Sequence, residues 1–173
     1  ESKSIHSAIA SVREKAYETI IVDGGSTDGT PEIASKNGAI VLQSSSGRAL
    51  QMNNGARIAK GNVLLFLHAD TELPQDFDQH IHKVLQNLDI VIGAFSLRIL
   101  GNIPGLAAIS KLATWRSKFA GIPFGDQAIF IRHTKFREAG GFGNLPLMED
   151  FEFVRRMRHQ GKIVTAPATV RTS

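Results

Sequence analysis

The chain has 173 residues, 42% hydrophobic and 21% charged, with a net charge of +4, enough for one domain with a sizeable core. It has no cysteine, which excludes disulfides and thiolate metal sites, and no apolar run approaches the ~20 residues of a membrane span. The mild basicity is compatible with phosphate-bearing ligands or an anionic membrane surface and selects neither.

Apolar spacing predicts a helix over 4–15 (Ile5, Ala8, Ile9, Val12) and a strand over 18–23. A short helix over 31–37, with Thr30 as its N-cap and Pro31 at its first position, closes at Gly38. Strand 39–43, a polar loop, helix 48–59 before Gly61, and strand 62–67 follow. Helix 75–88 carries Phe77, Ile81, Val84, Leu85 and Leu88 at helical spacing, and strand 90–99 is long and rich in β-formers. The apolar stretch 102–124, interrupted by Pro104, Gly105, Gly121 and Pro123, is expected to hold one helix near 105–119. Strand 127–132, a short helix ending at Gly140-Gly141, helix 149–160 ending at Gly161 and a last strand over 162–166 complete the order. Alternating strands and helices predict a three-layer α/β/α fold with a mostly parallel central sheet. A parallel sheet normally begins with a strand, so a strand is expected ahead of the opening helix.

The chemistry-bearing residues sit at strand ends. Ile20-Ile21-Val22-Asp23 runs into Gly24-Gly25-Ser26-Thr27-Asp28-Gly29-Thr30, at the place where open α/β sheets bind ligands. The turn lacks the lysine of a phosphate-cradling loop. Asp23, Gly25, Ser26 and Asp28 suit hydrogen bonds to a base or ribose, although the same residues also build plain turns. A second strand ends in His68-Ala69-Asp70-Thr71-Glu72. Asp70 reads as a ligand for magnesium or manganese, which bind through one or two carboxylates plus phosphate oxygens; the competing reading is a turn cap. His68 reads as a structural hydrogen-bonder more readily than as a ligand.

Arg48, with Asn53-Asn54 on the same helix, is placed to reach a phosphate or sugar, or to stand solvated. Gly125-Asp126-Gln127 suits an acceptor-side position or an ordinary turn. Glu149-Asp150 opens a helix, where the dipole favours acids. The neighbours Met148 and Phe151 add the apolar packing in which a carboxylate becomes a usable base. Arg155, Arg156, Arg158, His159 and Lys162 follow as a solvated face or as partners for an anion.

Taken in order, these segments resemble the family 2 glycosyltransferases of the GT-A fold, a nucleotide-diphospho-sugar transferase architecture. The resemblance rests on the Val22–Thr30 turn, the Gly47-Arg48…Asn53-Asn54 helix, Phe66-Leu67-His68-Ala69-Asp70-Thr71, Gly125–Arg132, and Glu149-Asp150 followed by Arg155-Arg156. It is greatest to a bacterial subgroup with His-Ala-Asp-Thr in place of Asp-x-Asp. It implies an inverting transfer of a sugar from a nucleotide-diphosphate donor to a hydroxyl. Asp23 would contact the base, Asp70 would bind the divalent metal, and Asp150 would act as catalytic base with Glu149 beside it. His68 replaces the motif's first Asp. The resemblance treats 1–173 as a single domain, lacking the family's first strand and its C-terminal acceptor segment. A lipid-linked acceptor and peripheral membrane contact fit the apolar 102–124 and basic 149–162 stretches, with no nucleic-acid partner and a cytoplasmic location at the inner membrane face. The competing functions are a nucleotidyltransferase that makes a nucleotide sugar, which would want a basic glycine-rich loop, and a non-catalytic sugar- or nucleotide-binding module.

Overall fold

The computed structural model describes residues 2, 4–101, 105–117 and 122–173. Helix α1 (Ile5–Val12) leads to strand β1 (Ile20–Asp23), helix α2 (Thr30–Lys36), strand β2 (Ile40–Gln43) and helix α3 (Arg48–Ile58). Strands β3 (Val63–Leu65) and β4 (Thr71–Glu72), helix α4 (Phe77–Leu85), strand β5 (Ile90–Ile99) and helix α5 (Leu106–Trp115) follow. A 3-10 turn (Gly125–Gln127), strand β6 (Phe130–Arg132), helices α6 (His133–Glu138) and α7 (Glu149–Met157) and strand β7 (Lys162–Thr172) complete the chain. The helix expected within 102–124 is α5; residues 102–104 and 118–121 of that stretch lie outside the described residues.

The described strands form a mixed sheet system, not a mostly parallel one. β1 and β2 pair in parallel; the five-stranded sheet runs β3-β6-β5-β7-β4, with β5–β7 parallel and its other pairings antiparallel. β5 is buried from Ile90 to Leu97 and carries the sheet's centre.

Side-chain alternation along the strands splits the core across the two faces. Phe95 and Phe130 face α4 and α5, with Phe77, Ile81, Val84 and Ala113. Ala94, Ile129 and Ile131 face α3, α6 and α7, with Ala56, Phe136, Phe153 and Met157. These faces make the three α/β/α layers. At Gly93 a Cβ would stand 2.1 Å from the Phe130 ring, so only glycine lets β5 and β6 close on that side.

β7 extends to Thr172, beyond the expected end at residue 166. Its register against β5 jumps from Ala94↔Thr165 to Ser96↔Thr169, which places Pro167, a residue with no N–H to donate, inside a bulge and lets pairing resume. The cap of α2 also differs from expectation. Gly29, with φ 78°, takes the N-cap position and Thr30 is the first helical residue, its N–H and hydroxyl both donating to Asp28 Oδ1. Among the described residues, no helix is long and apolar enough to cross a membrane.

Candidate active site

The site is assembled from two strand ends, two helix starts and one turn. At the end of β1, Asp23 is buried at 4% exposure. Its carboxylate accepts the backbone N–H of Gly25 at 2.9 Å and of Ser26 at 3.0 Å. Hydrogen bonding from the Ser26 side chain, with smaller help from these N–H groups and Gln43, holds its pKa below the usual carboxylate value against the opposing effect of burial. Gln51 of α3 fixes the strand end by donating to the Val22 carbonyl at 2.8 Å and accepting the Gly47 N–H at 3.3 Å. Nothing in the sequence marks Gln51 for this place; in the structure a Cβ on Gly24 would stand 3.2 Å from its amide.

At the second strand end, the turn between β3 and β4 holds His68 and Asp70 on either side of Ala69, which packs against the small apolar cluster of Ile5, Ile9, Ala34 and Ala39. Arg48, the first residue of α3, bridges from here to α7. Its Nη2 lies 2.7 Å from His68 Nε2 and its Nε lies 3.3 Å from Glu149 Oε1. Arginine carries only donors, so Nε2 accepts and the ring is the neutral tautomer with its proton on Nδ1. The pKa of His68 is lowered accordingly, first by burial and then by the Arg48 charge, against Asp70, Asp126 and Asp150. Glu149 is 1% exposed on its side chain, whereas Arg48 is 54% exposed. Glu149 Oε1 accepts no hydrogen bond, so the Arg48 charge is its compensation.

Asp150 faces the same point. Its Oδ2 accepts the Gly125 N–H at 2.6 Å and its Oδ1 accepts the Phe151 N–H at 2.7 Å. A Cβ on Gly125 would lie 3.0 Å from His68 Nε2, 3.2 Å from Asp150 Oδ2 and 3.5 Å from Arg48 Nη2. Three side chains from three segments therefore converge on one bare backbone position. Gln127, fully buried, ties the 3-10 turn to β5 through the Phe95 carbonyl at 3.0 Å. Among the described residues, only Ala128 (φ 48°) and Met148 (φ 65°) are non-glycine residues with positive φ. They flank the Gly125 turn and the Glu149-Asp150 pair, where backbone strain commonly marks function.

Beyond Gly125, burial raises the pKa of Asp126, with His68 and Arg116 opposing and Asp150 reinforcing. Its Oδ1 is buried without a hydrogen-bond partner. Arg116 stacks over the Phe124 ring at 3.6 Å. The structure thus gathers Arg48, Glu149 and Asp150 around His68, with the Asp70 charge acting on the same ring. It does not gather Asn53 or Asp28. Both ends of the Asn53 amide are bonded to the Phe142 backbone, at 2.9 and 3.0 Å. Asp28 spends its carboxylate on Thr30 and on the Ser2 N–H, and these bonds, from Thr30 above all, lower its pKa. Both side chains hold backbone groups in the structure.

Among the described residues, no three of His, Asp and Glu form a ready metal cage. The oxygen donors around His68 nevertheless fit a hard divalent ion, which uses few protein ligands and keeps several waters. The unpartnered Asp126 Oδ1 marks an excess of buried negative charge there. The His68 Nε2 lone pair does not fit, because Arg48 occupies it.

The model for Glycosyl transferase family 2 matches residues 1–138. The chain belongs to family 2 of the glycosyltransferases. Solved structures of this type share its fold. A mannosyltransferase from Pyrobaculum calidifontis, in complex with GDP-Man and Mn2+, superposes with a TM-score of 0.74 at 18% identity, covering 99% of this chain and 53% of that one. TarS (residues 1–349) from S. aureus gives 0.73 at 15%, covering 99% and 57%. Glucosyl-3-phosphoglycerate synthase from Mycobacterium tuberculosis, with Mn2+, UDP and glucosyl-3-phosphoglycerate, gives 0.74 at 16%, covering 100% and 68%. The chain spans little more than half the length of the first two. Comparison with curated protein sequences gave no match. This family 2 chain therefore has the GT-A fold expected from its motifs, and its candidate site occupies the strand ends of that fold.

Proposed function

We propose that this chain carries the donor site and catalytic base of an inverting glycosyltransferase that uses a nucleoside-diphosphate sugar. The observation that carries the reading is Asp150. Its carboxylate is oriented by two backbone N–H groups and set beside Arg48 and His68 from the second acidic strand end. The ligands named with the similar mannosyltransferase and synthase, GDP-Man, UDP and Mn2+, support the donor class and a divalent metal.

In this reading Asp23, with Gly25 and Ser26, offers a fixed acceptor at the end of β1 for a base or ribose N–H or O–H. Arg48 gives cationic donors to phosphate oxygens. Asp70 would hold a magnesium or manganese ion, which when bound offsets the charge that develops on the departing diphosphate. Asp150 takes the proton of the acceptor hydroxyl as that oxygen bonds to the anomeric carbon. The bond from that carbon to the diphosphate breaks, and the diphosphate leaves with the electron pair. Preorganised N–H bonds to Asp150 spare it reorientation during the step. Glu149, fully buried and held by Arg48, takes no proton from the acceptor.

The test is Asp150→Asn. Turnover should fall by roughly 10²–10⁴-fold, the usual worth of a positioned base, while calorimetry shows donor binding within about threefold of wild type. Intact turnover with intact donor binding would remove Asp150 from the base role.

A further inference from the structure

We propose that His68 is a tautomer-locked hydrogen-bond donor, so that the position takes a phosphate oxygen of the nucleotide instead of a hydroxyl hydrogen. This rests on the glycosyltransferase reading and assigns a specificity to one of its residues. An aspartate at position 68 would present only acceptors to a ligand. The histidine presents the opposite polarity, for reasons set by its neighbours.

The lock has three parts. Glu149 lies inside the protein, and its charge is met by Arg48 Nε at 3.3 Å. That ion pair aims the planar guanidinium, whose Nη2 then lies 2.7 Å from His68 Nε2. A guanidinium does not deprotonate in proteins and has no lone pair to offer, so Nε2 must be the acceptor. The single ring proton therefore sits on Nδ1. No hydrogen bond ties Nδ1 to a described residue, and it is not among the buried polar atoms without a partner, so the N–H is accessible to solvent. The lone-pair side of the ring is closed and the donor side is free.

The ligand class follows from what stands beside that N–H. Arg48 is 54% exposed, and a guanidinium's five N–H groups are more than His68 and Glu149 use. Arg48 and His68 thus present only N–H donors, one of them a cation, to a ligand among the surrounding carboxylates of Asp70, Asp126 and Asp150, and donors of this kind suit an anionic oxygen better than a hydroxyl. Glu149 touches no ligand in this scheme; it is a positioning residue acting through Arg48.

Two measurements decide the proposal. The first is long-range ¹H–¹⁵N NMR of the imidazole nitrogens near neutral pH, with the His68 signals assigned by their loss in His68→Asn. Wild type should show a protonated Nδ1 and a bare Nε2, and Glu149→Gln should shift the population toward the Nε2–H tautomer. A protonated Nε2 in wild type, or no change in Glu149→Gln, overturns the lock. The second is calorimetric titration of GDP and UDP, with their nucleosides as controls, at fixed Mn2+. His68→Asp should weaken diphosphate binding by at least about tenfold, the loss of one charge-assisted hydrogen bond, and leave nucleoside binding unchanged. His68→Asn, which keeps an N–H near the place of Nδ1, should lose less. Equal diphosphate binding by His68→Asp, or an equal loss for nucleosides, overturns the phosphate contact. If wild type binds no nucleotide, the glycosyltransferase reading fails and the phosphate contact with it, while the NMR result still decides the lock.

Discussion

The Arg48–Glu149 pair makes an asymmetric prediction, because its two ends see different solvent. Arg48→Met keeps the apolar stem but strands a carboxylate that is 1% exposed and has an oxygen without a hydrogen bond. Removing one partner of a buried pair typically costs 3–5 kcal/mol, and the half-exposed arginine argues for the low end, about 3 kcal/mol. Glu149→Gln leaves behind a guanidinium that is 54% exposed and can be hydrated, so its cost should resemble a surface pair, below about 1 kcal/mol. For a domain of this size each kcal/mol moves Tm by roughly 2–4 °C. Arg48→Met should therefore melt about 6–12 °C below wild type, and Glu149→Gln within about 4 °C of it. The double variant should recover most of the loss, because no buried charge remains. Urea unfolding with unchanged m-values is the assay. Equal costs for the two single variants, or no recovery in the double variant, would refute the claim that Glu149 is buried as a charge and compensated by Arg48.

Two further outcomes follow from the same cluster. Gly125→Ala should cut kcat by about tenfold or more, since a 1 Å misplacement can cost about 10²-fold and the new Cβ would press His68 Nε2 at 3.0 Å and Asp150 Oδ2 at 3.2 Å; unchanged kcat in a steady-state assay would contradict the convergence. Asp126 has a folded-state pKa raised above the ordinary carboxylate value of 3.8 by burial. Any stabilisation it gives is therefore full below that value and lost as pH rises through the folded one. Asp126→Asn should raise Tm at pH 7 and show no gain near pH 3, and a pH-independent difference would contradict the burial of that carboxylate.

Much of the fold was legible because it is written locally. The apolar spacing of α1 and α4 and the β-rich run of β5 place those elements without tertiary help. The bulge that carries Pro167 within β7 was not legible, because it depends on a register shift against β5. β4, only Thr71–Glu72, exists because β7 pairs with it. The candidate site shows the same division. Carboxylates at two strand ends, and an acidic pair opening a helix, are visible in the sequence. What each residue does is set by distant partners: Arg48 meets residues 20 and 101 positions away, and Asn53 is taken by Phe142, 89 positions away. Asn53 and Asp28 have the composition of ligand contacts, and the bonds each makes to nearby groups were not legible in the sequence. Gly125 read as a turn residue, and its importance lies in the three side chains that leave no room for a Cβ.

The central claim, a metal-assisted nucleotide-sugar site at the ends of β1 and β3, is tested most directly by calorimetry. GDP, UDP and their sugar conjugates would be titrated with and without Mn2+ into wild type and Asp70→Ala. Mn2+ should strengthen binding in wild type by at least about tenfold, and this dependence should be lost in Asp70→Ala. Nucleotide binding of equal strength with and without Mn2+, in both proteins, would contradict it.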